Sequence, residues 1–109
     1  MTTASIRSRR NGEPPSKSAI FHARFVIREF RSAIVNDGGL WIAPHITASE
    51  GGEIVFEWWL GSRKLTIYCG ERNVEYIQVW GIDIDSEMNE GTLAFPGDFR
   101  QLWNWLRAA

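Results

Sequence analysis

Three groups of side chains in this chain of 109 residues carry types and spacings that could do chemistry. Glu53 and Glu57 stand four residues apart, so on a strand both carboxylates point the same way, as acid–base work requires. No convincing nucleophile, His partner or Gly-rich phosphate loop accompanies them. The acid followed by Glu-x-Lys that a nuclease strand would show is absent too. A diagonal pairing of Glu57 with Lys64 or Arg63 across a hairpin accounts for it at surface strength. The acidic run Asp83, Asp85, Glu87 and Glu90 begins like a calcium loop. The sixth and twelfth positions of such a loop need Gly and Glu, and here they hold Met88 and Ala94, so the pattern fails. The run reads as a solvated loop or a patch that faces a partner. The third group is Trp59, Lys64 and Tyr68. Lys64 over Trp59 suits a cross-strand cation–π contact, and an aromatic sheet face can also stack bases. Glu53 and Glu57 on the same face would repel phosphates, which favours a protein contact, since Trp and Tyr dominate interface hot spots.

Bulk properties narrow the classes further. One cysteine, Cys69, excludes an internal disulfide, and one Cys with two His (His22 and His45) makes a thiolate or imidazole metal cluster implausible. No cofactor or metal is expected. No apolar run approaches the length that spans a bilayer, and no signal peptide follows the basic start, so a cytoplasmic protein with no membrane partner is expected. Charge is uneven: residues 1–35 hold seven Arg or Lys against two acids, and residues 36–109 hold five against eleven. The arm with Arg7, Arg9, Arg10 and Lys17 could neutralise phosphates, which makes a nucleic-acid-binding accessory protein the alternative reading. The acidic body argues for protein contact first.

These groups need elements to position them. Residues 1–15 are rich in Ser and Arg and end in Gly-Glu-Pro-Pro, which reads as a flexible basic arm. Residues 16–109 read as a single domain. Over 16–35, Ile20, Ala23, Val26, Ile27, Phe30, Ala33 and Ile34 share one helical stripe, with Ser16 or Ser18 as N-cap and Asn36-Asp37-Gly38-Gly39 as the stop. Phe21 and Phe25 fall on the polar side, and their alternation with Ala23 and Ile27 is the competing strand pattern. Strands are expected at 40–48, 53–60, 63–69 and 73–80. Pro44, which lacks a donor, puts the first of them at an edge or at a bulge. Gly61-Ser62 suits a two-residue type II′ hairpin, and that loop length sets Leu60 opposite Arg63 and Ile54 opposite Cys69. One face then carries Ile54, Phe56, Trp58, Leu65, Ile67 and Cys69, all apolar, while Glu57, Trp59, Lys64 and Tyr68 share the other. Residues 81–94 read as an acidic connection with room for a short edge strand. A last helix over 98–107 presents Phe99, Leu102, Trp103 and Leu106, with Asp98 and Gln101 as a capping box. Trp105 points elsewhere. The expected fold is α+β: an N-terminal helix, a four-stranded antiparallel β-sheet in meander order, and a C-terminal helix packed on one sheet face.

The stretch Pro44-His-Ile-Thr-Ala-Ser-Glu-Gly-Gly-Glu-Ile-Val-Phe-Glu-Trp-Trp59, with Arg63-Lys-Leu-Thr-Ile-Tyr68 and Glu75-Tyr-Ile77, resembles a recurring group of small uncharacterised bacterial proteins. In that group a helix precedes a Pro-containing strand, a Gly-Gly turn, a Glu-Trp strand and a Leu-x-Ile strand. The resemblance implies this order of elements and no activity. At the level of class it suggests accessory or inhibitory partners in mobile-element, toxin–antitoxin or phage-defence settings. The expectation is a non-enzymatic protein that acts by stoichiometric protein–protein interaction, as an inhibitor, antitoxin, immunity or anti-defence protein, or as a homodimer. Candidate contacts are Glu57, Trp59, Lys64, Tyr68 and Trp105, with Asp83, Asp85, Glu87 and Glu90.

Overall fold

The computed structural model describes residues 14–83, 85–93 and 96–108. The expected flexible arm therefore lies outside the described residues up to position 13. Pro14 and Pro15 lead into helix α1, Lys17–Asn36. The Ser16 side chain accepts the Ala19 amide at 3.0 Å, the N-cap role expected of a hydroxyl there. At the other end the Gly39 amide donates to the Ile34 carbonyl and the Gly38 amide to the Val35 carbonyl, at 2.8 and 3.0 Å. That double closure needs a left-handed residue, and Gly38 supplies it at φ 80°. The helix buries Ala19, Ala23, Val26, Phe30 and Ile34 and leaves Phe21 and Phe25 exposed.

A five-stranded antiparallel sheet follows, with every strand beside its neighbour in sequence: β1 His45–Ala48, β2 Ile54–Leu60, β3 Arg63–Cys69, β4 Val74–Val79 and β5 Met88–Thr92. The expectation of four strands is corrected by β5, which occupies part of the acidic connection. Its sequence, Met-Asn-Glu-Gly-Thr, has no apolar alternation, and what holds it is backbone pairing to β4. Side-chain pairing helps at Gln78, which accepts from the Asn89 amide at 2.9 Å. Gly91 lies opposite Tyr76, where an added Cβ would come within 2.6 Å of the phenol oxygen.

The β2–β3 hairpin has the register that its turn length dictates, from Leu60 opposite Arg63 to Ile54 opposite Cys69. Gly61 has φ 60° while Ser62 stays out of the left-handed region, the pattern of a type II′ turn. β4 sets Val74, Tyr76 and Gln78 opposite Cys69, Ile67 and Leu65, so these form its core side.

Helix α2, Pro96–Arg107, starts two residues before the expected cap. Proline at the first helical position lacks only an amide that would have no intrahelical partner. Asp98 therefore lies inside the first turn, where a carboxylate still meets the positive end of the helix. Both helices cover one face of the sheet and touch each other. Phe30 is the centre of the core. Its ring stacks on Phe99 at 5.2 Å and meets Trp58, Trp103 and Trp41 at 5.2, 5.5 and 5.9 Å. The buried Trp58 indole donates to the Ile42 carbonyl at 2.7 Å, so burying this ring strands no polar group. No helix among the described residues is long and apolar enough to cross a membrane.

Candidate functional site

The second face of the sheet buries Val55 and Thr66 and carries the remaining chemistry-bearing side chains. Alternation along paired strands puts Glu57, Trp59, Lys64, Tyr68, Glu75, Ile77 and Glu90 on this side. Trp59 is 64% exposed, whereas Trp58 beside it is 3% exposed. Lys64 lies directly opposite Trp59 and reaches over its ring, with Nζ 4.3 Å from the centroid. The same ammonium is 3.0 Å from a Glu57 carboxylate oxygen. One cation is thus held between an aromatic ring and a carboxylate, both supplied by β2. That clamp orients the indole without covering it. Glu75 and Glu90 add two more carboxylates to this side of the sheet.

Glu90 was expected with the acidic loop. It belongs to β5 instead, opposite Ile77, and so joins the Trp59 face. Asp83, Asp85 and Glu87 stay in the β4–β5 loop, exposed or half-exposed. That loop is closed on itself. Asp83 accepts the Asp85 amide at 3.1 Å and the Ser86 hydroxyl at 2.9 Å, and its own amide donates to Glu87 at 3.0 Å. Among the described residues no three His, Cys, Asp or Glu side chains come together to hold a metal ion.

Trp105 does not offer the open ring expected of it. The Arg63 guanidinium lies 5.2 Å from its ring centroid and donates to the Trp105 carbonyl, and Trp80 meets the ring edge-on at 6.1 Å. Arg63 thereby satisfies a carbonyl in the last turn of α2 and complements the negative helix end. The indole serves as packing between helix and sheet. Sequence spacing had no means of finding this contact, which joins positions 42 residues apart.

The remaining chemical groups are also engaged. Glu53 was placed beside Glu57 on the sheet face; it sits instead at the β1–β2 turn, where the Ser49 hydroxyl donates to it at 3.3 Å. His22 has a partner that the sequence did not reveal: its Nδ1 donates to the Gly70 carbonyl at 2.8 Å, tying α1 to the β3–β4 turn. Cys69 is buried in the core, and burial, with the Glu53 charge adding to it, pushes its pKa up to about 12, which keeps the thiol protonated and inert. Of the basic residues assigned to phosphate contact, Lys17 opens α1 and is exposed. Arg7, Arg9 and Arg10 lie outside the described residues.

Compared with protein-family models, curated proteins and solved structures, the chain matches none of them.

Proposed function

We propose that this protein acts by stoichiometric contact with another protein, and that the Trp59 face of the sheet is the contact. The observation that carries the reading is the pair of adjacent tryptophans: Trp58 completes the core, and Trp59 stands exposed under a clamped lysine. A large exposed indole whose neighbours are already ordered loses little side-chain freedom on binding, and such rings are where interface energy concentrates. The partner's surface carries an apolar recess for the ring and basic groups that meet the Glu57 and Glu90 carboxylates on the same side of the sheet. The chemistry-bearing residues support binding over catalysis. Glu57 is ion-paired, Cys69 is protonated in the core, and His22 is spent on a backbone carbonyl. An inhibitory or accessory partner, of the antitoxin, immunity or anti-defence kind, is the form this function takes.

Tagged protein recovered from its native host tests the reading. Wild type brings down a partner in a fixed ratio, and Trp59→Ser, with an unchanged circular dichroism spectrum, brings down none. Recovery of the wild-type protein alone, or equal recovery of a partner by the variant, overturns it.

A further inference from the structure

A groove lies at the β1 edge of the sheet, lined without Trp59. The C-terminal half of α1 and residues 41–46 enclose a groove of about 570 Å³, within the size range of ligand pockets. Val35, Trp41, Pro44 and Ile46 give it apolar walls, and Arg28 and Arg31 line it as well. Among the described residues the ion pairs are Lys64 with Glu57 and Arg100 with Asp37, so neither groove arginine has a carboxylate partner there. The strand alongside, β1, is the terminal strand of the sheet, pairs only with β2 among the described residues, and has all four residues exposed. Its outer edge presents backbone N–H and C=O groups to any chain that lies beside it.

These three features together describe a receptor for an extended polypeptide. We propose that the groove and the outer edge of β1 take an extended acidic segment of another protein. The segment pairs with His45–Ala48 through its backbone, as a sixth strand. Alternate side chains then point into the groove, where apolar ones meet Trp41 and Ile46 and carboxylates meet Arg28 and Arg31. A nucleic acid fits less well, since it has no amide ladder to match β1 and would set its phosphates against Pro44 and Ile46. The chain's own acidic loop fits less well too, because the hydrogen bonds of Asp83 close it into a turn that cannot lie extended. The proposal stands independently of the Trp59 reading, and its test separates the two.

A phage-displayed library of random dodecapeptides panned against the full chain is the first step. Enriched sequences should carry acidic residues alternating with apolar ones. A synthetic peptide of the enriched sequence should bind wild type and Trp59→Ser equally, and should bind the Arg28→Glu, Arg31→Glu double variant roughly tenfold or more weakly. Amide exchange at residues 45–48 should slow when the peptide is bound. Both arginines are exposed, so the double variant should keep the wild-type circular dichroism spectrum. Four results overturn the proposal: no enrichment, enrichment without acidic positions, equal binding by the double variant, or unchanged exchange at 45–48. So does concentration-dependent self-association in the ultracentrifuge that the double variant abolishes, which would make a second copy the occupant.

Discussion

Trp58 and Trp59 share a strand, a residue type and a peptide bond, and they live in opposite environments. Trp58 faces the two helices, touches Phe30, Trp41 and Trp103, and has its indole N–H satisfied by Ile42. Trp59 faces away from both helices with one lysine over it. The two faces of the sheet differ in the same way. On the helix side rings interlock, so the loss of one leaves a hole that its neighbours cannot fill. On the other side Val55 and Thr66 are buried, while Trp59, Lys64 and Glu57 touch near water, where each contact is worth little for stability and is available for recognition.

The largest effect that sharpens this contrast is at Phe30. Phe30→Ala removes a fully buried ring from the middle of four aromatic neighbours and should cost about 3–5 kcal/mol in urea unfolding. Trp59→Ser should stay within about 0.5 kcal/mol of wild type in the same measurement. Comparable losses for the two would erase the distinction between the faces. Gly91→Ala comes next. Its Cβ would run into the Tyr76 ring, on the core side of β4, and overpacking of this kind costs about 1–3 kcal/mol by thermal unfolding.

The core side of the sheet also has a pH signature, at Cys69. Its folded pKa of about 12 lies above the value of 9.0 that it takes when solvated. Above pH 9 the unfolded chain releases the thiol proton while the native state keeps it. The contribution to stability is therefore complete below pH 9 and falls away as pH rises toward the folded value. Cys69→Ala should flatten the alkaline decline in unfolding free energy, measured as the difference between the two proteins from pH 8 upward. Lys64→Ala, which removes the cation–π contact and the ion pair, should cost no more than about 1 kcal/mol in chemical denaturation. A loss of several kcal/mol there would mean that the open face behaves like a second core.

Much of this contrast could be read before the structure, for a local reason. Gly61-Ser62 sets the hairpin register within two residues, and a period of two then separates Trp58 from Trp59. Helix α1 was largely legible, because its caps lie directly beside its twenty residues, although Ile20, expected on the buried stripe, is exposed and Ala19 is buried in its place. β5 was hidden because its side chains carry no alternating signal; its place depends on the edge that β4 leaves open and on Gly91 admitting Tyr76. The cover over Trp105 and the groove beside β1 were out of reach for a related reason. Each brings together distant segments, Arg63 with α2 and Arg28 with Trp41, and the pairing exists only once both elements have docked. The candidate site was half visible: Trp59, Lys64 and Glu57 follow from the hairpin, while the move of Glu90 onto their face follows from β5.

The placement of α2 has a consequence for biosynthesis. The sheet strands pair with sequence neighbours, so the meander can form while the chain is still being made. Phe30, Trp41 and Trp58, however, wait for Phe99 and Trp103, which the ribosome adds only after every strand has been synthesised. A nascent chain paused before residue 96 presents an unroofed aromatic layer, the kind of surface that chaperones hold and proteases find. A chain cut before α2 therefore leaves Phe30, Trp41 and Trp58 without the rings that cover them.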